Sequence, residues 1–152
     1  MRLHAASAAT SLAVAVIIGL ILLMRPTSPA LLRAAAVHGV LGLVGFLAQM
    51  VIAMETRLLP MVSWFWAYAG SGYRTAPPSP HVMRDRSLQA VVFCAWTVAV
   101  PALALGMFFE SAVLIAVGAW SLFVGVVVAG LDSAFVVGHA LRTTNRAPRQ
   151  AA

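Results

Sequence analysis

The sequence predicts an all-α protein of one domain, residues 1–152, folded as an integral membrane four-helix bundle with both termini cytoplasmic. Three observations carry this. Hydrophobic residues make up 62% of the 152 and charged residues only 9%, where a soluble domain carries about one quarter charged residues. The apolar residues gather into four runs, each long enough for the roughly 20 residues that cross a bilayer core. The arginines divide unequally between the two ends of those runs, as membrane topology requires.

The first run covers about residues 6–24. Arg2 ahead of an apolar stretch resembles a signal peptide, but the stretch exceeds the usual run of about 7–15 residues. Thr27-Ser28-Pro29-Ala30 is also a poor cleavage site, so the segment reads as a retained helix. Arg25-Pro26-Thr27-Ser28-Pro29 then breaks the chain, and the second proline suits the first turn of the next helix. That helix spans about residues 30–54. Residues 55–87 read as a cytoplasmic loop, opened by Trp64, Phe65, Trp66 and Tyr68 at the headgroup level. Gly70-Ser71-Gly72 and Pro77-Pro78-Ser79-Pro80 exclude a continuous helix through its middle. The third helix covers about 88–109, with a kink at Pro101 and Thr97 one turn earlier to satisfy freed backbone. Phe109-Glu110-Ser111 makes a tight hairpin into the fourth, about 112–141.

With four spans, the termini and the long loop share a side. That side holds Arg2, Arg57, Arg74, Arg84, Arg86, Arg142, Arg146 and Arg149, against Arg25 and Arg33 opposite. The positive-inside rule makes it cytoplasmic, in a multi-pass protein of the cell inner membrane. The net charge of +6 reflects juxtamembrane arginine and not a nucleic-acid surface; the partner is the lipid bilayer. The lone Cys94 excludes a disulfide framework and a cysteine metal motif.

Two helices carry stripes that lipid would not favour. At 100° per residue His38, Gly42, Gly45 and Gln49 share one side of the second helix. Gly118, Ser121, Gly125, Ala129, Asp132, Val136 and His139 share one side of the fourth. Small residues let another backbone approach closely, so both stripes are expected to face protein. Asp132 falls at the cytoplasmic border, where Arg57 or Arg142 would pair with it; the other reading is a proton or ion site. His38 raises the question of haem, but His139 lies roughly 30 Å away along the membrane normal, so the two cannot share one iron. His4, His81 and His139 have no metal-site spacing.

The run Ala36-Val37-His38-Gly39-Val40-Leu41-Gly42-Leu43-Val44-Gly45-Phe46, with Met54 and Arg57-Leu58-Leu59-Pro60-Met61 after it, resembles a segment of the haem–copper oxidase subunit I superfamily, and more closely its NnrS-like membrane relatives. Arg86-Ser87-Leu88-Gln89 and Val136-Val137-Gly138-His139-Ala140-Leu141-Arg142 are similar to their last two helices. The specific part covers about thirty residues. Position 36 is alanine where such families place a further histidine, no tyrosine lies in the membrane near His38, and four helices stand where an oxidase core has about twelve. The resemblance implies a truncated or descended relative, with His38 on a ligand position, and does not imply oxidase activity.

Two functions follow as expectations. One is a non-enzymatic component that packs against a partner membrane subunit or a second copy of itself. The alternative is a haem- or metal-binding redox protein in which His38 gives one ligand and a homodimer supplies the other.

Overall fold

The computed structural model describes residues 2–26, 28–69 and 85–146. Four helices are long and apolar enough to cross a membrane: α1 (Arg2–Met24), α2 (Pro29–Ala69), α3 (Arg86–Phe109) and α4 (Ala112–Arg146). Among the described residues there is no strand.

Each helix boundary has a local cause. After α1, Ser28 caps α2: its hydroxyl accepts from the Leu31 N–H at 3.3 Å and its carbonyl from Leu31 and Leu32 at 3.0 Å, with Pro29 in the first turn. Asp85 caps α3, its carboxylate accepting from the N–H and the hydroxyl of Ser87. Those bonds hold the Asp85 carboxyl below the ordinary aspartate pKa. The α3–α4 hairpin turns on Glu110, at φ 54°, and the Ser111 N–H returns to the Gly106 carbonyl at 2.9 Å. Glu110 also lies 3.6 Å from the Arg33 guanidinium, an exposed ion pair that ties the hairpin tip to the start of α2.

The second helix corrects the boundaries read from sequence. It does not end near residue 54 but continues through Pro60 to Ala69. Pro60 is tolerated because neighbouring helices can satisfy or cover the freed backbone. It is buried, as are Ser63, Ala67 and Tyr68 on the same stretch. Tyr68 and Ala67 pack on Ala140 of α4, with Trp64 against them, while Phe65 and Trp66 stay exposed. What looked like the opening of a loop is thus one half of a helical pair whose other half is the end of α4. The Gly70–Gly72 and Pro77–Pro80 breaks, and His81, lie outside the described residues.

A nine-residue π-helix, Val40–Ala48, interrupts α2. A π turn closes i→i+5 bonds, so each residue advances the chain by less than the 100° of an α-helix. A stripe drawn at constant 100° therefore drifts as it crosses this segment.

The most extensive contact is between α3 and α4; α2 packs against α1 along its first half and against α4 along its last. The core of α3 is Val92, Trp96 and Val100, covered by Leu41, Val44, Ala48 and Ile52 of α2 and by Leu122, Val128 and Ala129 of α4. On α1 the buried side chains are His4, Ala8, Ser11 and Ala15, at the 4-3-4 spacing of a helix seam. Thr97 donates to the Phe93 carbonyl at 2.8 Å. The group that Pro101 leaves without an N–H is the carbonyl of Thr97 itself, so the hydroxyl bonds elsewhere than expected.

Candidate functional site

The two sequence stripes come to rest on different neighbours. A Cβ at Gly45 would lie 2.8 Å from Ser11 of α1 and 3.1 Å from Val100 of α3. One at Gly118 would lie 2.6 Å from the Leu103 side chain, and one at Gly125 3.2 Å from the Trp96 ring. Those three glycines are contact points: a methyl is excluded at Gly45 and Gly118 without a shift and fits tightly at Gly125. Gly42 has nothing within 4 Å of a Cβ and is only half-buried. It does not serve packing, because the π turn rotates it off the line of Gly45.

His38 meets α1. Its Nδ1 lies 2.9 Å from the Ala15 carbonyl oxygen, which can only accept, so Nδ1 carries the hydrogen. The ring lies over Gly19, where a Cβ would be 3.2 Å from Cε1. The α1 seam of Ser11, Ala15 and Gly19 was the partner that the reading of α2 lacked. Its 4-4 spacing of small residues is present in the sequence, within the segment that reads there as a retained helix.

Gln49 closes the π segment. Its N–H bonds the Phe46 carbonyl, and the Val44 carbonyl accepts the indole N–H of Trp96 at 3.0 Å. The Gln49 side chain is 1% exposed, and neither its oxygen nor its nitrogen has a hydrogen-bond partner among the described residues. Each such orphan costs about 1–3 kcal/mol. π segments inside α-helices occur often at functional sites, and an unpaired amide beside one fits that pattern.

One turn beyond Gln49 begins a feature that sequence reading did not assemble. A cavity of about 200 Å³ opens among the ends of the helices where α1 and α3 begin. Each helix gives it a polar side chain: His4 from α1, Glu55 and Thr56 from α2, Gln89 from α3, Asp132 from α4. The depths agree. His4 is twenty residues from Met24, Gln89 twenty from Phe109 and Asp132 twenty from Ala112, roughly 30 Å of helix each and one bilayer core from the Arg33–Glu110 end.

The side chains on this wall are held from different directions. The Ser133 hydroxyl donates to Glu55, joining α4 to α2. Thr56 donates to the Ala53 carbonyl at 2.7 Å. Asp132 is 5% exposed and sits inside the bundle on this wall. His4 is 6% exposed, its ring edge-on to Phe93 with centroids 5.0 Å apart, and its Nδ1 has no hydrogen-bond partner among the described residues. No three His, Cys, Asp or Glu side chains among the described residues are gathered closely enough to hold a metal ion.

No family model, characterised protein or solved structure matches this chain.

Proposed function

We propose that the chain is a non-enzymatic component of the cell inner membrane, a four-helix bundle with cytoplasmic termini that packs in the bilayer against partner helices. The observation that carries this reading is the bond from His38 to Ala15. The histidine on the family ligand position serves as a tie between α1 and α2, and Gly19 and Gly45 beside it serve helix contact. Large apolar side chains on the outer faces, such as Leu23, Leu43, Trp120 and Phe135, suit lipid or partner helices and not water. The eight-to-two division of arginine supports the orientation.

A second reading keeps one specific observation. An Nδ1–H bonded to a backbone carbonyl is the arrangement that orients metal-bound imidazoles, leaving Nε2 as the ligand atom. Among the described residues no second histidine lies at the depth of His38, so a bis-histidine haem would need His38 from a second copy. Absorption spectra of the purified protein and of His38→Ala test both readings. The first expects no Soret band, and a variant weakened by about 1 kcal/mol through the lost interhelical bond. A Soret band in the parent that vanishes in the variant overturns it. Reporter fusions at the C-terminus test orientation, with a periplasmic signal as the contrary result.

A further inference from the structure

We propose that the cavity walled by His4, Glu55 and Asp132 is a binding site for a small organic primary ammonium ion with a compact apolar body. The proposal goes beyond the packing role above and needs no haem.

Three features of the site point to this ligand. The first is charge. The chain has only four acidic residues, Glu55, Asp85, Glu110 and Asp132, and two of them line this one cavity. Carboxylates brought together at membrane depth favour a cation. The second is the imidazole. His4 is buried, its Nδ1 has no partner among the described residues, and it lies on the same wall. With its hydrogen on Nε2, that atom is an acceptor. Two carboxylates and one imidazole nitrogen are all acceptors, the complement of the N–H donors of a primary ammonium. The third is spacing. These side chains share a cavity without converging as a metal-ligating group. A bare metal ion needs several donors at once about 2.0–2.6 Å from one point, whereas an ammonium is held by one charge-assisted hydrogen bond, with a second carboxylate contributing through its charge.

The remainder of the wall fits the body of such a molecule. Ile52, Val92 and Phe93 are apolar, and an aromatic face stabilises a cation near it. An apolar cavity of about 150 Å³ accepts benzene, so about 200 Å³ holds a single ring with a short amine arm. Leu3, Ala90 and Cys94 line the cavity and are exposed on the outer surface of the bundle, which gives a lateral way in. A ligand entering there is one that partitions to the membrane interface, as an arylalkylamine does.

Cys94 is the only cysteine in the chain and supplies a reporter. The full-length protein in lipid nanodiscs is titrated with phenethylammonium, with its near-isostere 2-phenylethanol and with phenylacetate, and alkylation of Cys94 by N-ethylmaleimide is timed in each. The expected result is saturable protection by the amine, at a concentration at least about tenfold below that of the alcohol, and none by the acid. Glu55→Gln should weaken the amine about tenfold and leave the alcohol unchanged. Ala90→Leu sits at the exposed rim, where it narrows the entrance without touching the core, and should weaken amine and alcohol alike. Equal protection by amine and alcohol, or no saturable protection by the amine in the parent protein, overturns the proposal. Neither result bears on the His38 reading, which the Soret measurement decides separately.

Discussion

The indole N–H of Trp96 donates to the backbone carbonyl of Val44 at 3.0 Å, so one side chain of α3 holds the middle of the π segment of α2. Trp96 is 2% exposed and also forms the floor on which Gly125 of α4 rests. A π turn is less favourable than an α turn, and an acceptor engaged from outside the helix helps to keep it. Trp96→Phe keeps a ring and removes the donor. The variant should lose about 0.6–1.7 kcal/mol, the range of hydrogen bonds between membrane helices, read by unfolding in mixed micelles. Amide exchange along Val40–Ala48 should quicken more than exchange in α4; an unchanged pattern would mean that the π turn stands without the bond.

The glycines of the two stripes should divide sharply. Gly118→Ala places a methyl 2.6 Å from Leu103 and 2.9 Å from its backbone nitrogen, and the backbone cannot give way as a side-chain tip could. The expected loss is about 1–3 kcal/mol from overpacking. Gly42→Ala meets nothing within 4 Å and should be neutral or stabilising by about 0.4–1 kcal/mol. Unfolding midpoints of the two variants check this, and equal losses would contradict the packing described.

Gln49→Leu removes two buried polar atoms that have no partner among the described residues and keeps a side chain of similar length. It should stabilise the bundle by about 1–3 kcal/mol. A loss of stability would mean that the amide is bonded in the membrane-embedded protein, and the glutamine would then be a fixed part of the fold.

The cap at Asp85 has a pH dependence whose sign follows from its lowered pKa. Above the ordinary aspartate value the carboxylate is charged in folded and unfolded chains alike, and the cap contributes fully. The contribution is lost progressively as pH falls below that value and through the lower, folded one. Exchange of the Ser87 amide, which bonds the carboxylate at 2.8 Å, should therefore lose protection in acid. In Asp85→Asn that protection should not vary with pH, and a titrating amide there would point to another group.

Much of the fold could be read from residue patterns because lipid imposes a simple rule. A helix able to cross a bilayer satisfies its own backbone and presents apolar side chains, so hydropathy alone located four helices long and apolar enough to do so. Pro26 and Pro29 around Ser28, and Glu110 with Ser111, marked two of the connections by local chemistry. The stripe of Gly118, Gly125, Asp132 and Val136 was also visible, since a regular α-helix keeps 100° per residue. The same assumption misplaced Gly42, because a π turn depends on contacts from another helix that no local pattern displays. Pro60 and the aromatics after it looked like an exit from the membrane; burial against Ala140, far along the chain, is what keeps that segment helical.

Sequence by itself thus determined the all-helical class, the four long apolar helices and the small-residue face of α4, all of which rest on the periodicity and solvation of single helices. Tertiary structure alone decided which faces meet. It joined His38 to Ala15, set Gln49 at the end of a π-helix, and brought His4, Glu55, Gln89 and Asp132 around one cavity. Those residues are far apart in the chain and each looks ordinary on its own helix. They become a site only because α1 and α3 begin at the depth that α2 and α4 pass through, where a polar side chain from each lines one cavity.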